Sequence, residues 1–172
     1  MAKEEQYKEL VAQVAAVVAG ETDMIANMAN VAAILHETFG FWWTGFYRVQ
    51  NTDRFADKIQ NTDRFADRVQ TELVLGPFQG PLACTRIPFG KGVCGTAWAK
   101  NETVIVPNVH EFAGHIACSS ESNSEIVVPV RQNGEVIAVL DIDSKDFDTF
   151  DETDQKYLEK IVDCLSGGTE ML

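Results

Sequence analysis

The sequence predicts an α+β fold, in which a central, mostly antiparallel sheet of about five or six strands carries the N- and C-terminal helices on one face. Three observations support this prediction. Apolar residues recur at helical spacing at both ends of the chain, the middle is rich in short aromatic and β-branched runs, and Asn133-Gly134 joins two of these runs. The 172 residues, 45% hydrophobic and 23% charged, suit one folded domain over residues 1–172.

Two amphipathic helices are predicted at the start of the chain and one at its end. The first covers residues 3–19, and the second runs from an N-cap at Thr22 to Gly40. The closing helix begins after Asp151 or Thr153, either of which can cap it. Its apolar positions are Tyr157, Leu158, Ile161, Val162 and Leu165.

Six segments between these helices have the composition of strands. They are residues 41–49, 72–78, 84–89, 103–107, 125–132 and 135–143. A Gly-rich turn leads into a short helix over residues 90–101. Residues 108–124 are polar, small and without period, which predicts a long loop of the kind that often carries function.

Residues 51–70 repeat one ten-residue unit, NTDRFADKIQ followed by NTDRFADRVQ. The repeat lies where a short hairpin turn is expected, so we interpret it as a tandem-duplicated insertion in a hairpin. It can form an amphipathic helix capped by Asn51 or Thr52, or an extended, slipped hairpin. Because loop-closure entropy grows slowly with length, such an insertion is tolerated, and excising it is expected to leave function largely intact.

Charge and composition exclude several partners and sites. A net charge of −12 repels nucleic acid and anionic membranes on average. No apolar run approaches the roughly 20 residues that span a bilayer, and the charged N-terminus does not resemble a secretory signal. These features predict a cytoplasmic protein with reduced thiols. The cysteine and histidine spacings match no zinc motif, so no metal site is expected.

Three carboxylates are predicted to meet at one end of the 125–143 hairpin. A turn at Asn133-Gly134 places Glu125 opposite Ile142, between Asp141 and Asp143. Clustered carboxylates raise one another's pKa, which suits an acid that donates a proton or a site that binds an ammonium group. A solvated strand end is the equally weighted alternative.

Two cysteines have settings that favour reactivity. Cys94 lies near the start of the predicted 90–101 helix, a position that favours a thiolate. Cys118 lies in the long polar loop, with His115 nearby. Both positions are consistent with a nucleophile, whereas Cys164 lies on the apolar side of the last helix and is expected to be inert.

Three segments carry a resemblance to a known family. GPFQGPLACTRIPFGKGVCGTAW, GHIACSSESNSEIVVPV and AVLDIDSKDFDTFDETD resemble the free methionine-(R)-sulfoxide reductases, stand-alone members of the GAF domain fold. The resemblance covers residues 20–162 except 51–70. It implies reduction of the R epimer of free methionine sulfoxide through a cysteine sulfenic acid, a disulfide formed by a second cysteine, and a thioredoxin-type reductant. No bound cofactor is implied.

The same resemblance assigns the catalytic residues. Cys118 matches the attacking cysteine, Cys84 the principal resolving cysteine and Cys94 an additional redox partner. Asp143 is the expected acid that protonates the sulfoxide oxygen.

The resemblance also assigns the substrate contacts. Glu125, Asp141 and Asp143 would hold the substrate ammonium, while Trp43 and Tyr47 would wall its S-methyl group. Backbone N–H groups around Ile116, Ala117 and Cys118 would receive its carboxylate. Simple packing in the sheet is a strong alternative role for the two aromatic residues.

Two other functions stay open at the level of sequence. A GAF-type sensor would bind a small ligand in the same pocket without chemistry, although three cysteines near one pocket argue against it. A thiol hydrolase that uses Cys118 with His115 is weaker, because no orienting Asn or Asp is evident. A homodimer through the terminal helices is plausible by analogy with GAF relatives.

Overall fold

The computed structural model describes residues 2–52, 70–116 and 118–166. In these residues, helices and strands follow the predicted order. They are α1 (Lys3–Val18), α2 (Met24–Phe39), β1 (Trp43–Thr52), β2 (Gln70–Gln79), β3 (Arg86–Pro88), α3 (Gly92–Lys100), β4 (Val104–Val106), β5 (Ser124–Gln132), β6 (Glu135–Ser144) and α4 (Glu152–Leu165). The strands form one antiparallel sheet of order β3-β2-β1-β6-β5-β4. The predicted α+β architecture is therefore confirmed.

The helix ends show why the chain turns where it does. The predicted N-cap of α2 at Thr22 is wrong by one residue, because the Asp23 carboxylate accepts hydrogen bonds from the first free N–H groups of the helix. The same helix ends at Gly40, whose φ of 66° is left-handed. Asp151 caps α4 as predicted, and Asp154 completes a capping box with it.

The strands on either side of the tandem repeat are neighbours in the sheet. β1 and β2 pair antiparallel, and Thr52 lies opposite Gln70 at the end of the pairing. Residues 53–69, which are most of the repeat, lie outside the described residues. The interpretation of residues 51–70 as an insertion, helical or extended, therefore stays a prediction.

The β5–β6 hairpin contains a bulge that changes the predicted register. Next to the turn, Gln132 lies opposite Glu135, but after the bulge at Ile137 every partner is shifted by one residue. Glu125 therefore lies opposite Asp143, and the predicted position opposite Ile142 is wrong. Since a one-residue shift moves side chains to the other face, the bulge places Glu125 on the face of Asp141 and Asp143.

The two faces of the sheet are covered by different elements. On one face, as predicted, lie the terminal helices, and the buried side chains between them and the strands are apolar. Those on the strands are Phe46, Ile126, Val128, Val130, Ala138, Leu140 and Ile142. The other face is covered by α3 and the segments around it, with a second apolar cluster that includes Tyr47, Val127, Val139 and Ala97. The functional site lies at the edge of this second cluster.

In the part of the chain that is described, none of the helices has both the length and the apolar character needed to cross a membrane.

Candidate active site

A pocket opens on the second face of the sheet, between β1, β5, β6 and the start of α3. The space between its lining atoms is about 520 Å³, a value that includes open solvent. Its lining includes the sequence-predicted residues Trp43, Tyr47, Cys94, Ile116, Cys118, Glu125, Asp141 and Asp143. Sequence reasoning missed Leu82, Ala83, Ile87 and Ser122, which also line it. Ser122 lies in the polar 108–124 loop, which was the available signal for it.

The floor of the pocket is a cluster of three carboxylates. Glu125 and Asp141 are each only 6% exposed, and Asp143 lies directly opposite Glu125 across the hairpin. Burial raises the pKa of Glu125 and that of Asp141 well above their usual ranges, and the charge of Asp143 raises both further. Interactions with Cys94 and Glu125 partly oppose the increase in the pKa of Asp141. Burial also raises the pKa of Asp143 to about 6, although a hydrogen bond with Ser122 opposes the shift. The cluster therefore favours protons or a cation.

An aromatic wall stands beside this floor. The Trp43 ring stacks on Tyr47 and Phe78, with centroids 5.9 and 5.4 Å away. Gly45, opposite Asp141, makes room for it, because a Cβ at this position would lie 2.5 Å from the Trp43 ring. The wall also holds the chain before β3: Trp43 Nε1 donates to the Pro81 carbonyl at 3.1 Å, and Tyr47 Oη donates to the Cys84 carbonyl at 3.0 Å.

Two of the predicted redox cysteines are joined at the pocket. Cys84, held by Tyr47, forms a disulfide with Cys118, with their Cα atoms 5.3 Å apart. Cys164 is a free thiol on α4, and its Sγ donates to the Lys160 carbonyl. The structure therefore pairs Cys84 with Cys118, which lie 34 residues apart in the sequence.

Cys94 has a different environment from these two residues. It is a free thiol, 3% exposed, whose Sγ lies 4.0 Å from Glu125 Oε1. The expectation that its place near the start of α3 favours a thiolate is wrong. Burial raises the pKa of the Cys94 thiol well above its usual range, and the nearby charges of Asp141 and Glu125 add to the increase.

The loop that carries Cys118 packs against the start of α3. Ile116 lies so close to Gly92 that a Cβ there would come within 3.3 Å of the Ile116 side chain. His115 Nε2 lies 3.8 Å from Glu125 Oε2, and burial lowers the pKa of this histidine, with a smaller contribution from His110. His115 is therefore a neutral neighbour of the carboxylates near neutral pH. Ala117 lies outside the described residues.

This arrangement combines three chemical properties in one pocket. The buried carboxylates attract a cationic group, the aromatic wall accepts a small apolar group, and the Cys84–Cys118 pair can exchange electrons. A ligand that is both cationic and apolar, and that contains an atom a thiol can reduce, fits all three.

Comparisons with known proteins agree with this chemistry. A GAF domain profile matches residues 23–166. The chain is 50% identical to GAF domain-containing protein A of Dictyostelium discoideum, over 95% of this chain and 92% of that protein. It is 42% identical to the free methionine-R-sulfoxide reductase of Escherichia coli, over 94% and 87% of the two chains.

A solved structure shows the same similarity in three dimensions. The free methionine-R-sulfoxide reductase of Neisseria meningitidis, in complex with its substrate, is 50% identical and superposes with a TM-score of 0.82, covering 97% of this chain and 90% of that chain. The chain therefore belongs to the GAF domain family and, within it, to the free methionine-R-sulfoxide reductases.

Proposed function

We propose that this protein reduces free methionine-(R)-sulfoxide to methionine. The observation that carries the proposal is the Cys84–Cys118 disulfide, which lies at a pocket floored by buried carboxylates. A disulfide at the mouth of a ligand pocket is the expected product of thiol-dependent reduction. The names of the E. coli and N. meningitidis relatives support the same reaction.

Substrate selection follows from the charges of the pocket. The ammonium group of the free amino acid would pair with Glu125 and Asp141, and the S-methyl group would contact Trp43 and Tyr47. Backbone N–H groups from Ile116 to Cys118 would receive the carboxylate. A methionine within a protein has neither charged end, so the buried carboxylates would reject it.

The first chemical step transfers oxygen from the substrate to the enzyme. The Cys118 thiolate attacks the sulfoxide sulfur while Asp143, a partly protonated carboxyl group near neutral pH because its pKa is about 6, protonates the oxygen. The protonated oxygen then moves from the substrate sulfur to the Cys118 sulfur, as the S–O bond of the substrate and the transient sulfur–sulfur bond both break. Methionine leaves, and Cys118 becomes a sulfenic acid.

The second step forms the disulfide. The Cys84 thiol attacks the sulfenic sulfur of Cys118, water leaves, and the Cys84–Cys118 bond forms. A thioredoxin-type dithiol would then reduce this bond, with Cys94 as an additional redox partner. We place the protein in the cytoplasm, where dithiol reductants of this kind act. The proposal also includes a homodimer that forms through the terminal helices.

Separated epimers of free methionine sulfoxide test the proposal. Reduced protein incubated with the R epimer should release about one equivalent of methionine per chain and lose the mass of two hydrogen atoms as the disulfide forms. The S epimer and a methionine sulfoxide within a peptide should release none. If the R epimer binds but leaves every thiol reduced, the reductase proposal fails and a sensor function replaces it.

A further inference from the structure

Three side chains from three separate elements place potential metal ligands together beneath the pocket. They are Cys94 from α3, Glu125 from β5 and Asp141 from β6, and one ligand atom from each lies within 4.8 Å of the others. All three are buried, with exposures of 3%, 6% and 6%. No spacing rule could predict this cluster from the sequence, because its members are spread over residues 94–141.

A separate observation concerns one oxygen of this cluster. Asp141 Oδ1 is buried, and no hydrogen-bond donor reaches it within the described ranges 2–52, 70–116 and 118–166. The pocket lining contains neither lysine nor arginine among these residues, and the nearest basic group is His115, at 3.8 Å from Glu125. A buried carboxylate oxygen without a donor is costly, and a bound cation would remove this cost.

We propose that Cys94, Glu125 and Asp141 form a zinc-class metal site in the floor of the pocket. One sulfur and two carboxylate oxygens are donors that Zn²⁺ accepts, and the fourth tetrahedral position would hold a water molecule. Ligand atoms around Zn²⁺ lie about 3.3–3.7 Å apart, so the cluster, with 4.0 Å between Cys94 Sγ and Glu125 Oε1 and no separation above 4.8 Å, must contract on binding.

Metal binding would compete with the substrate. The same carboxylates cannot hold an ammonium group and a metal ion together, so Zn²⁺ is expected to be a reversible inhibitor, an expectation that rests on the proposed function. Binding displaces the Cys94 thiol proton and any carboxyl protons into solvent. No oxidation or reduction is involved.

The experiment uses the oxidised protein, in which Cys84 and Cys118 are joined and cannot act as ligands. We expect Co²⁺ to bind with a stoichiometry of about one per chain and to show the visible bands of a tetrahedral ion together with a sulfur-to-cobalt charge-transfer band. Added Zn²⁺ should bleach both sets of bands. Absence of the charge-transfer band in the wild-type protein would overturn the proposal.

Variants assign the ligands. Cys94→Ser should abolish the charge-transfer band, and Asp141→Asn should weaken Zn²⁺ binding by at least about tenfold, since even outer-shell partners have effects of this size. Cys164→Ser removes the other free thiol and should leave the spectrum unchanged. A band that persists in Cys94→Ser, with its thermal unfolding unaltered, would exclude this site.

Competition is measured separately from turnover. Free methionine added to the oxidised cobalt protein should displace the ion and bleach its bands, a readout that requires no reduction. A cobalt spectrum that methionine does not change would refute the competition while the metal site stands. Failure of the reductase assay alone would leave the cobalt result unaffected, so the two proposals can fail independently.

Discussion

The two faces of the central sheet use the same strands for different purposes. Leu140 and Ile142 of β6 point to the terminal helices and are fully buried among apolar side chains. Asp141, between them, points to the pocket and places a carboxylate in a buried position. Side chains point alternately to the two faces of a strand. One strand can therefore supply apolar residues that stabilise the fold and, between them, a carboxylate that serves the pocket.

The energetic cost of the pocket face follows from its pKa shifts. A buried carboxyl group whose pKa is raised in the folded state takes up protons on folding, so folding becomes less favourable as pH rises between the unfolded and folded pKa values. The side chains of Leu140 and Ile142 on the apolar face do not titrate, so they contribute no such dependence. Substitutions on the two faces should therefore affect activity and stability in opposite ways, and the following variants test this contrast.

Replacement of Cys118 has the largest expected effect. Cys118→Ser should lower kcat/KM by roughly a thousandfold or more, because a hydroxyl group cannot accept the sulfoxide oxygen as a thiolate does. Methionine release from the R epimer is the measurement. Cys84→Ser is the matched control: it should still release about one equivalent of methionine and then stop with a trapped sulfenic acid. Full turnover by the Cys118→Ser variant would show that Cys118 is not the attacking residue and would assign that role to Cys94.

Replacement of Asp143 should separate activity from stability. Asp143→Asn should lower kcat/KM by about 10²–10³-fold, since the amide cannot donate the proton. The pKa of Asp143 is about 6 in the folded protein against an ordinary 3.8. Its destabilisation is therefore absent below about pH 4, grows between about pH 4 and 6, and is complete above that range.

The same Asp143→Asn variant should consequently gain about 3 kcal/mol in free energy of unfolding at pH 8 and almost nothing near pH 4. Urea unfolding at the two pH values measures this gain. Equal stability of the variant and the wild-type protein at pH 8 would show that Asp143 carries no burial cost.

A truncation on the apolar face should have the reverse effect. Leu140→Ala is expected to lower the free energy of unfolding by about 2–5 kcal/mol, because it leaves a cavity among fully buried side chains. Below the unfolding temperature, kcat/KM per folded molecule should stay within about twofold of the wild-type value. A hundredfold loss of activity in folded Leu140→Ala would mean that the two faces are not independent.

A smaller effect is expected at the surface contacts of Lys145. Lys145 Nζ lies 3.5 Å from the centroid of the Trp42 ring and 3.0 Å from Glu121 Oε2, and so links the loop after Cys118 to the residue before β1. Both charged side chains are about half exposed, so Lys145→Met should cost less than about 1 kcal/mol. Lys8→Met, which removes an exposed pair with Glu4, is the control for a general loss of charge. A larger loss in Lys145→Met than in Lys8→Met, measured by thermal unfolding, would identify the link as structural.

The smallest effect is expected from the tandem repeat. Replacing residues 53–69 by an Asn-Gly turn should leave kcat/KM within about twofold, because Thr52 and Gln70 already lie opposite each other and a two-residue turn can join them. Assay of the shortened chain with the R epimer measures this. A large loss would mean that the repeat contributes to the pocket or to an interface.

Local features of the structure were largely predictable. Gly40, Asp151 and the Asn133-Gly134 turn have strong intrinsic preferences, so the ends of α2, the start of α4 and the β5–β6 hairpin follow from short stretches of sequence. The resemblance predicted the cysteines and carboxylates that meet at the pocket, whereas Leu82, Ala83, Ile87 and Ser122 were missed. The N-cap of α2 could not be predicted from the sequence, because Thr22 and Asp23 are both good N-cap residues and only the backbone conformation of the folded chain selects between them.

By itself, the sequence determined the order of helices and strands, the apolar face of each, and the residue types of the pocket, because these depend on periodicity and local propensity. Only the tertiary structure decided how they meet. The bulge at Ile137 set Glu125 opposite Asp143, and burial reversed the expected ionisation of Cys94. Register and desolvation depend on contacts between distant residues, and neither can be read from a neighbouring stretch of chain.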